Sequence, residues 1–108
     1  MTVNDAKRIL RENNIDENLC IVLPRQIAEM ALCLIRTRES RWRVVYNERG
    51  IFEIDRSFDS EDEACRFFLR TSLCDPVNRK NFKQSDLPKK HEELEAKLKP
   101  LLEKYGLN

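Results

Sequence analysis

Between Arg41 and Phe58 apolar side chains recur at every second position in two runs, Trp42 to Tyr46 and Phe52 to Ile54 with Phe58, set apart by Gly50. A period of two marks a strand with one buried face and argues against a helix across this stretch. In RWRVVYNERG, Trp42, Val44 and Tyr46 fall on one side, and Arg41, Arg43, Val45 and Asn47 on the other. IFEIDRSF resumes the pattern, with Phe52, Ile54 and Phe58 set against Glu53, Asp55 and Ser57. Gly50 is one of only two glycines, so it is expected to hold a turn conformation that other residues resist. Upstream, EMALCLIRTR is a continuous apolar run that ends in arginines. Met30, Leu32 and Leu34 share one parity, and Ala31, Cys33 and Ile35 the other. This suits a strand buried on both faces, or alternatively a short helix. With RESR as a polar turn, the three runs predict an antiparallel meander with one apolar face.

Helical spacing brackets this sheet. In TVNDAKRILRENN, Val3, Ala6, Ile9 and Leu10 recur at helical intervals, Thr2 or Asn4 can cap, and Asn13-Asn14 ends the pattern. NIDENLCIVLPRQ follows, and Pro24 speaks against a regular element across it. After the sheet, Asp59 or Ser60 is a natural N-cap, with capping-box spacing from Ser60 to Glu63. Asp59, Glu61, Asp62 and Glu63 place acids at the positive end of the helix dipole. Ala64, Cys65, Phe68, Leu69 and Ser72, broadened by Phe67, form a stripe that can cover the sheet until Asp75-Pro76 stops the helix. DPVNRKNFKQ is a polar connector. A last helix is predicted from Ser85 or Asp86, with Pro88 in its first turn. Its apolar stripe is Leu87, Leu94, Leu98, Leu101 or Leu102, and Tyr105; Pro100 should kink or divide it, and Gly106 suits its C-cap. The fold class expected is α+β: an N-terminal helix, a three-stranded antiparallel sheet, a covering helix and an additional C-terminal helix. It forms a single domain over 1–108, with a helix–sheet–helix core at 1–74, a connector at 75–84 and a C-terminal amphipathic helix at 85–108.

Charge narrows the partners. Charged residues make up 36% of the chain, which predicts a densely ionic surface, yet 20 basic and 19 acidic residues leave a net charge of +1. Such a balance gives no bulk attraction to nucleic acid or to anionic membranes. MTVNDAKRIL carries charge almost from its start and has no apolar h-region, and no run approaches the ~20 apolar residues of a membrane span. The expected setting is therefore cytoplasmic, with Cys20, Cys33, Cys65 and Cys74 as reduced thiols. None of the four forms a C-x-x-C pair, and one histidine supplies a zinc site poorly, so no metal or other cofactor is expected.

Catalytic constellations are equally scarce. His91, the lone histidine, sits in KKHEELE with no serine or cysteine near it in sequence, which reads as a solvated position. Two glycines cannot build a glycine-rich phosphate loop. Glu53 and Asp55 pair carboxylates on one strand face, but alternating charge on an exposed sheet face is ordinary. The expectation is a non-enzyme that works by binding another protein. Arg36, Arg38, Arg41 and Arg43, with Arg49 and Arg56 near them, support an alternative: a small nucleic-acid-associated regulator using an arginine-rich hairpin. Against it, Trp42, Tyr46 and Phe52 share the apolar parity rather than an exposed stacking face.

From Trp42 to Leu73 the chain resembles small bacterial immunity proteins that neutralise polymorphic toxins, including those of contact-dependent growth inhibition. The shared pattern is an aromatic-alternating strand ending in Tyr-x-Glu-Arg-Gly, a short strand, and Phe-x-Ser-Glu-x-Glu-Ala-Cys opening a helix. Here Tyr46, Glu48, Arg49, Gly50, Phe58, Ser60, Glu61, Glu63, Ala64 and Cys65 carry it. Residues 9–41 agree more loosely, and 75–108 lie outside it. The resemblance implies a stoichiometric inhibitor in the cytosol of the producing cell, bound to a toxin's C-terminal domain. Many such toxins are nucleases with basic clefts, so the implied toxin-binding acids are Glu53, Asp55, Asp59, Glu61, Asp62 and Glu63. Helix capping is a competing role for the last four.

Overall fold

A computed structural model describes residues 1–83, 85 and 91–107, the side chain of His91 excepted. The N-terminal helix α1 spans Val3–Glu12. Thr2 caps it reciprocally: its hydroxyl accepts the Asp5 N–H, and the Asp5 carboxylate accepts the Thr2 N–H at 2.9 Å. Asn13 closes the helix and Asn14 turns the chain at φ 56°, a conformation asparagine tolerates.

The sheet has four strands in the order β1-β2-β3-β4: Cys20–Val22, Leu32–Arg36, Trp42–Glu48 and Ile51–Phe58. The predicted meander is β2-β3-β4, antiparallel throughout, and the apolar run around Leu32 is a strand rather than a helix. Two features differ from the expected three-stranded antiparallel sheet: a fourth strand, β1, is present, and it pairs parallel to β2, which makes the sheet mixed. Pro24 does not prevent this strand because it lies beyond it. Leu23 donates its N–H to the Leu34 carbonyl and then turns at φ 54°. Three residues are too few to show a period, so β1 leaves no hydrophobic signature.

Helix α2, Glu61–Cys74, covers the sheet as its stripe predicts, with Ala64, Cys65, Phe68, Leu69, Ser72 and Leu73 all buried. They meet Ala6, Ile9 and Leu10 of α1 and Leu32, Leu34, Trp42 and Val44 of the sheet in one core. Ser60 is the N-cap, accepting the Glu63 N–H at 3.1 Å. A short 3-10 turn at Pro76–Asn78 follows, capped by Asp75. On the opposite sheet face Ala31, Cys33 and Val45 form a smaller cluster, covered by Ile27 and Ala28 of the loop before β2.

The last helix, α3, spans His91–Lys104 and runs through Pro100 without dividing there. The described helix begins at His91, so Ser85 lies outside it; Asp86, the other expected cap, and Leu87 and Pro88 of the expected first turn lie outside the described residues, as does the His91 side chain. At its other end the Gly106 N–H bonds the Glu103 carbonyl and the Leu107 N–H bonds the Leu102 carbonyl, a Schellman closure for which Gly106 supplies φ 67°. Leu101, Leu102, Tyr105 and Leu107 pack on the core, and the Tyr105 hydroxyl donates to Glu12 at 2.9 Å. The C-terminal half of α3 therefore docks on its own domain.

Candidate protein-binding surface

Strands β3 and β4 are joined by a two-residue loop, Arg49-Gly50, with φ of 53° and 83°. Two positive φ values are what a type I′ turn requires, and its twist matches that of the strands it joins. Beyond the turn the ladder slips. Tyr46 pairs with Ile54 but Asn47 pairs with Phe52, so Glu53 is the extra residue of a bulge. Phe52 thereby leaves the face of Ile54, where its parity had placed it, and joins Asn47 on the outer face. There it is 44% exposed, beneath the Arg43 guanidinium at 5.5 Å. Neighbouring Ile51 is 68% exposed. The letters IFEIDRSF alternate straight through the bulge and give no sign of it.

The six acids singled out above do not share one role. Asp55 forms a bidentate pair with Arg43, both contacts at 2.7 Å, and this guanidinium holds its carboxyl below the ordinary range. Asp59 pairs with Arg41 at 3.0 Å. Glu61 accepts the Val3 N–H at 2.9 Å and so ties α2 to the start of α1. Asp62 binds the Met1 ammonium at 2.7 Å and Arg66 at 3.0 Å, and these two cations, the ammonium first, depress its carboxyl pKa. Glu63 is exposed in the first turn of α2. Glu53 differs from the rest. The neighbouring Glu48 carboxyl raises its pKa, by hydrogen bonding to the protonated form first and then by charge repulsion, and desolvation adds in the same direction. Among the described residues neither Glu48 nor Glu53 joins an ion pair. The Tyr46 hydroxyl nearby is also pushed up, by burial first and then by Glu48, Glu53 and Asp75.

The arginine cluster is largely spent within the molecule. Besides the two carboxylate pairs, Arg36 lies over Trp42 at 5.7 Å, and Arg56 lies over Phe67 at 5.0 Å and Phe58 at 6.0 Å. The thiols are withdrawn from chemistry too. Burial pushes Cys20 and Cys65 up to about 11, and raises Cys33 and Cys74 in the same direction. A thiol so protonated is a poor nucleophile. A groove of about 820 Å³ runs between α3 and the connector, with Glu12, Arg79, Phe82 and Leu94 on its walls. Of the carboxylates Glu12 and Glu93 on its walls, Glu12 is pinned by the Tyr105 hydroxyl and Arg8. Among the described residues no group of three or more His, Cys, Asp or Glu is placed to hold a metal ion, and no helix is long and apolar enough to cross a membrane.

What remains open to a partner is β4. It closes the sheet order, and among the described residues nothing pairs with its far side. Every second residue of such an edge directs an N–H and a C=O outward. Sequence reasoning identified Glu53 but not its neighbour Glu48, which the register sets opposite Ile51, nor the exposure of Phe52, which follows from the bulge. No protein-family model, curated protein or solved structure matches the chain.

Proposed function

We propose that this chain is an immunity protein that binds a cognate bacterial toxin domain in the cytosol and neutralises it without catalysis of its own. The observation that carries the reading is the open β4 edge with Ile51 and Phe52 exposed at its hairpin end, inside the 42–73 unit that resembles such proteins. An eight-residue edge strand left uncovered is a hazard that folds usually blunt, and a standing partner is the economical reason to keep one. The spent arginines and the burial of Trp42, 8% exposed with Arg36 over its ring, count against the nucleic-acid reading. The toxin activity it opposes, a nuclease in many of the proteins it resembles, is part of the same proposal.

The test is co-expression with the C-terminal domain of the protein encoded immediately upstream. Rescue from toxicity and co-purification of a one-to-one complex are expected. Continued killing with the immunity chain present and soluble would sink the reading.

A further inference from the structure

We propose that β4 accepts an extended basic segment of the partner protein as an added strand, with a lysine or arginine of that segment seated between Glu48 and Glu53. This inference rests on the protein-binding reading above and specifies how the partner is held.

Length selects the edge. The sheet ends in β1, three residues, on one side and in β4, eight residues, on the other. Leu23 and Pro24 follow β1 directly, and proline cannot extend a ladder. Only β4 has enough backbone to hold a strand-length segment.

Charge selects the occupant. Along β4, Asp55 is neutralised by Arg43, and Arg56 is spread over Phe58 and Phe67. At the hairpin end the register sets Glu48 opposite Ile51, with Glu53 the bulge residue two positions on, and among the described residues neither carboxylate joins an ion pair. A partner cation relieves the repulsion between these two acids, and Ile51, 68% exposed on the face of Glu48, can receive the alkyl stem of a lysine or arginine. A second copy of this chain fits badly. Antiparallel pairing of β4 with itself about a two-fold axis normal to the sheet sets Asp55 opposite Asp55, Glu53 opposite Asp55, or Arg56 opposite Arg56 in the central registers. Like charges directly opposite are destabilising.

The experiment titrates the isotope-labelled protein with peptides about ten residues long, enough to span a strand, built of alternating valine and threonine. One peptide has a central lysine, one a glutamate in that place, and one is the lysine peptide N-methylated at alternate amides. The lysine peptide is expected to shift the backbone amides of 51–58. Its affinity should fall at least about tenfold, equivalent to 1.4 kcal/mol, with the glutamate peptide, with N-methylation, or with the Glu48→Gln/Glu53→Gln protein, whose fold is checked by circular dichroism. Equal binding of the lysine and glutamate peptides, shifts centred away from β4, or no shift at millimolar peptide would overturn the proposal. So would β4 shifts that follow protein concentration alone, which would mark self-pairing. In the toxin assay, full rescue by the double variant would overturn strand addition at the acid pair and leave the immunity reading intact. Failure of the wild type to rescue would remove the toxin, and the peptide titration then decides the inference by itself.

Discussion

Phe52 separates the fold seen here from the one its sequence pattern suggests. On alternation alone Phe52 belongs with Ile54 in the core, where truncation to alanine costs about 3–5 kcal/mol, as for any buried phenylalanine. In the structure the bulge at Glu53 turns Phe52 to the outer face, with 44% of its surface in solvent. Just over half of the roughly 1.5–3 kcal/mol available from full burial is then at stake, about 1–1.5 kcal/mol. The Arg43 guanidinium 5.5 Å from the ring adds about 0.5–1 kcal/mol at an exposed site. Phe52→Ala should therefore cost about 1.5–2.5 kcal/mol, whereas Phe68→Ala, fully buried against the sheet, should cost about 3–5. Guanidinium unfolding followed by Trp42 fluorescence and by circular dichroism measures both. At about 4–8 °C per kcal/mol for a domain of this size, melting points should separate the two variants as well. A Phe52→Ala loss equal to that of Phe68→Ala would refute the bulge and return Phe52 to the core.

Glu53→Gln should raise the melting temperature at neutral pH and leave it unchanged in acid. The wild-type carboxyl has a folded pKa above the ordinary 4.5, so the ionised form opposes folding as pH rises through that range; thermal scans across pH check this. Asp55 and Asp62 act with the opposite sign. Their folded pKa values lie below the ordinary 3.8, so the unfolded state binds more protons and their stabilisation, present above that value, disappears as pH falls below it. Asp55→Asn and Asp62→Asn should accordingly flatten the acid limb of the stability curve. Thiol reagent should label Cys20, Cys33 and Cys65 only in denaturant, because all three are buried and held protonated, and mass spectrometry of the native protein after labelling reads this directly. Rapid native labelling of Cys65 would contradict the packing of α2 on the sheet.

Much of the architecture is legible in the chain because it rests on local rules. The Thr2 cap, the Ser60 cap, the stop at Asp75-Pro76, the turn at Gly50 and the stripe from Ala64 to Ser72 each depend on neighbours a few residues away. The candidate site was legible only in part. Glu53 was visible as an acid among acids, and nothing in the residues distinguished it from Asp55 two positions on. The distinction arises across strands: Arg43 lies beside Asp55, while Glu48 lies beside Glu53.

By itself the sequence determined the helices α1 and α2, the strands β3 and β4, and the buried stripe of α2, since periodicity and capping act within a few residues. Only the tertiary structure decided that a three-residue strand joins parallel to β2, that the register slips between Tyr46 and Asn47, and that β4 is the long open edge. These are facts of pairing between distant segments. A single strand's residues state which side is buried, but its neighbour sets its register, and register decides which charges meet.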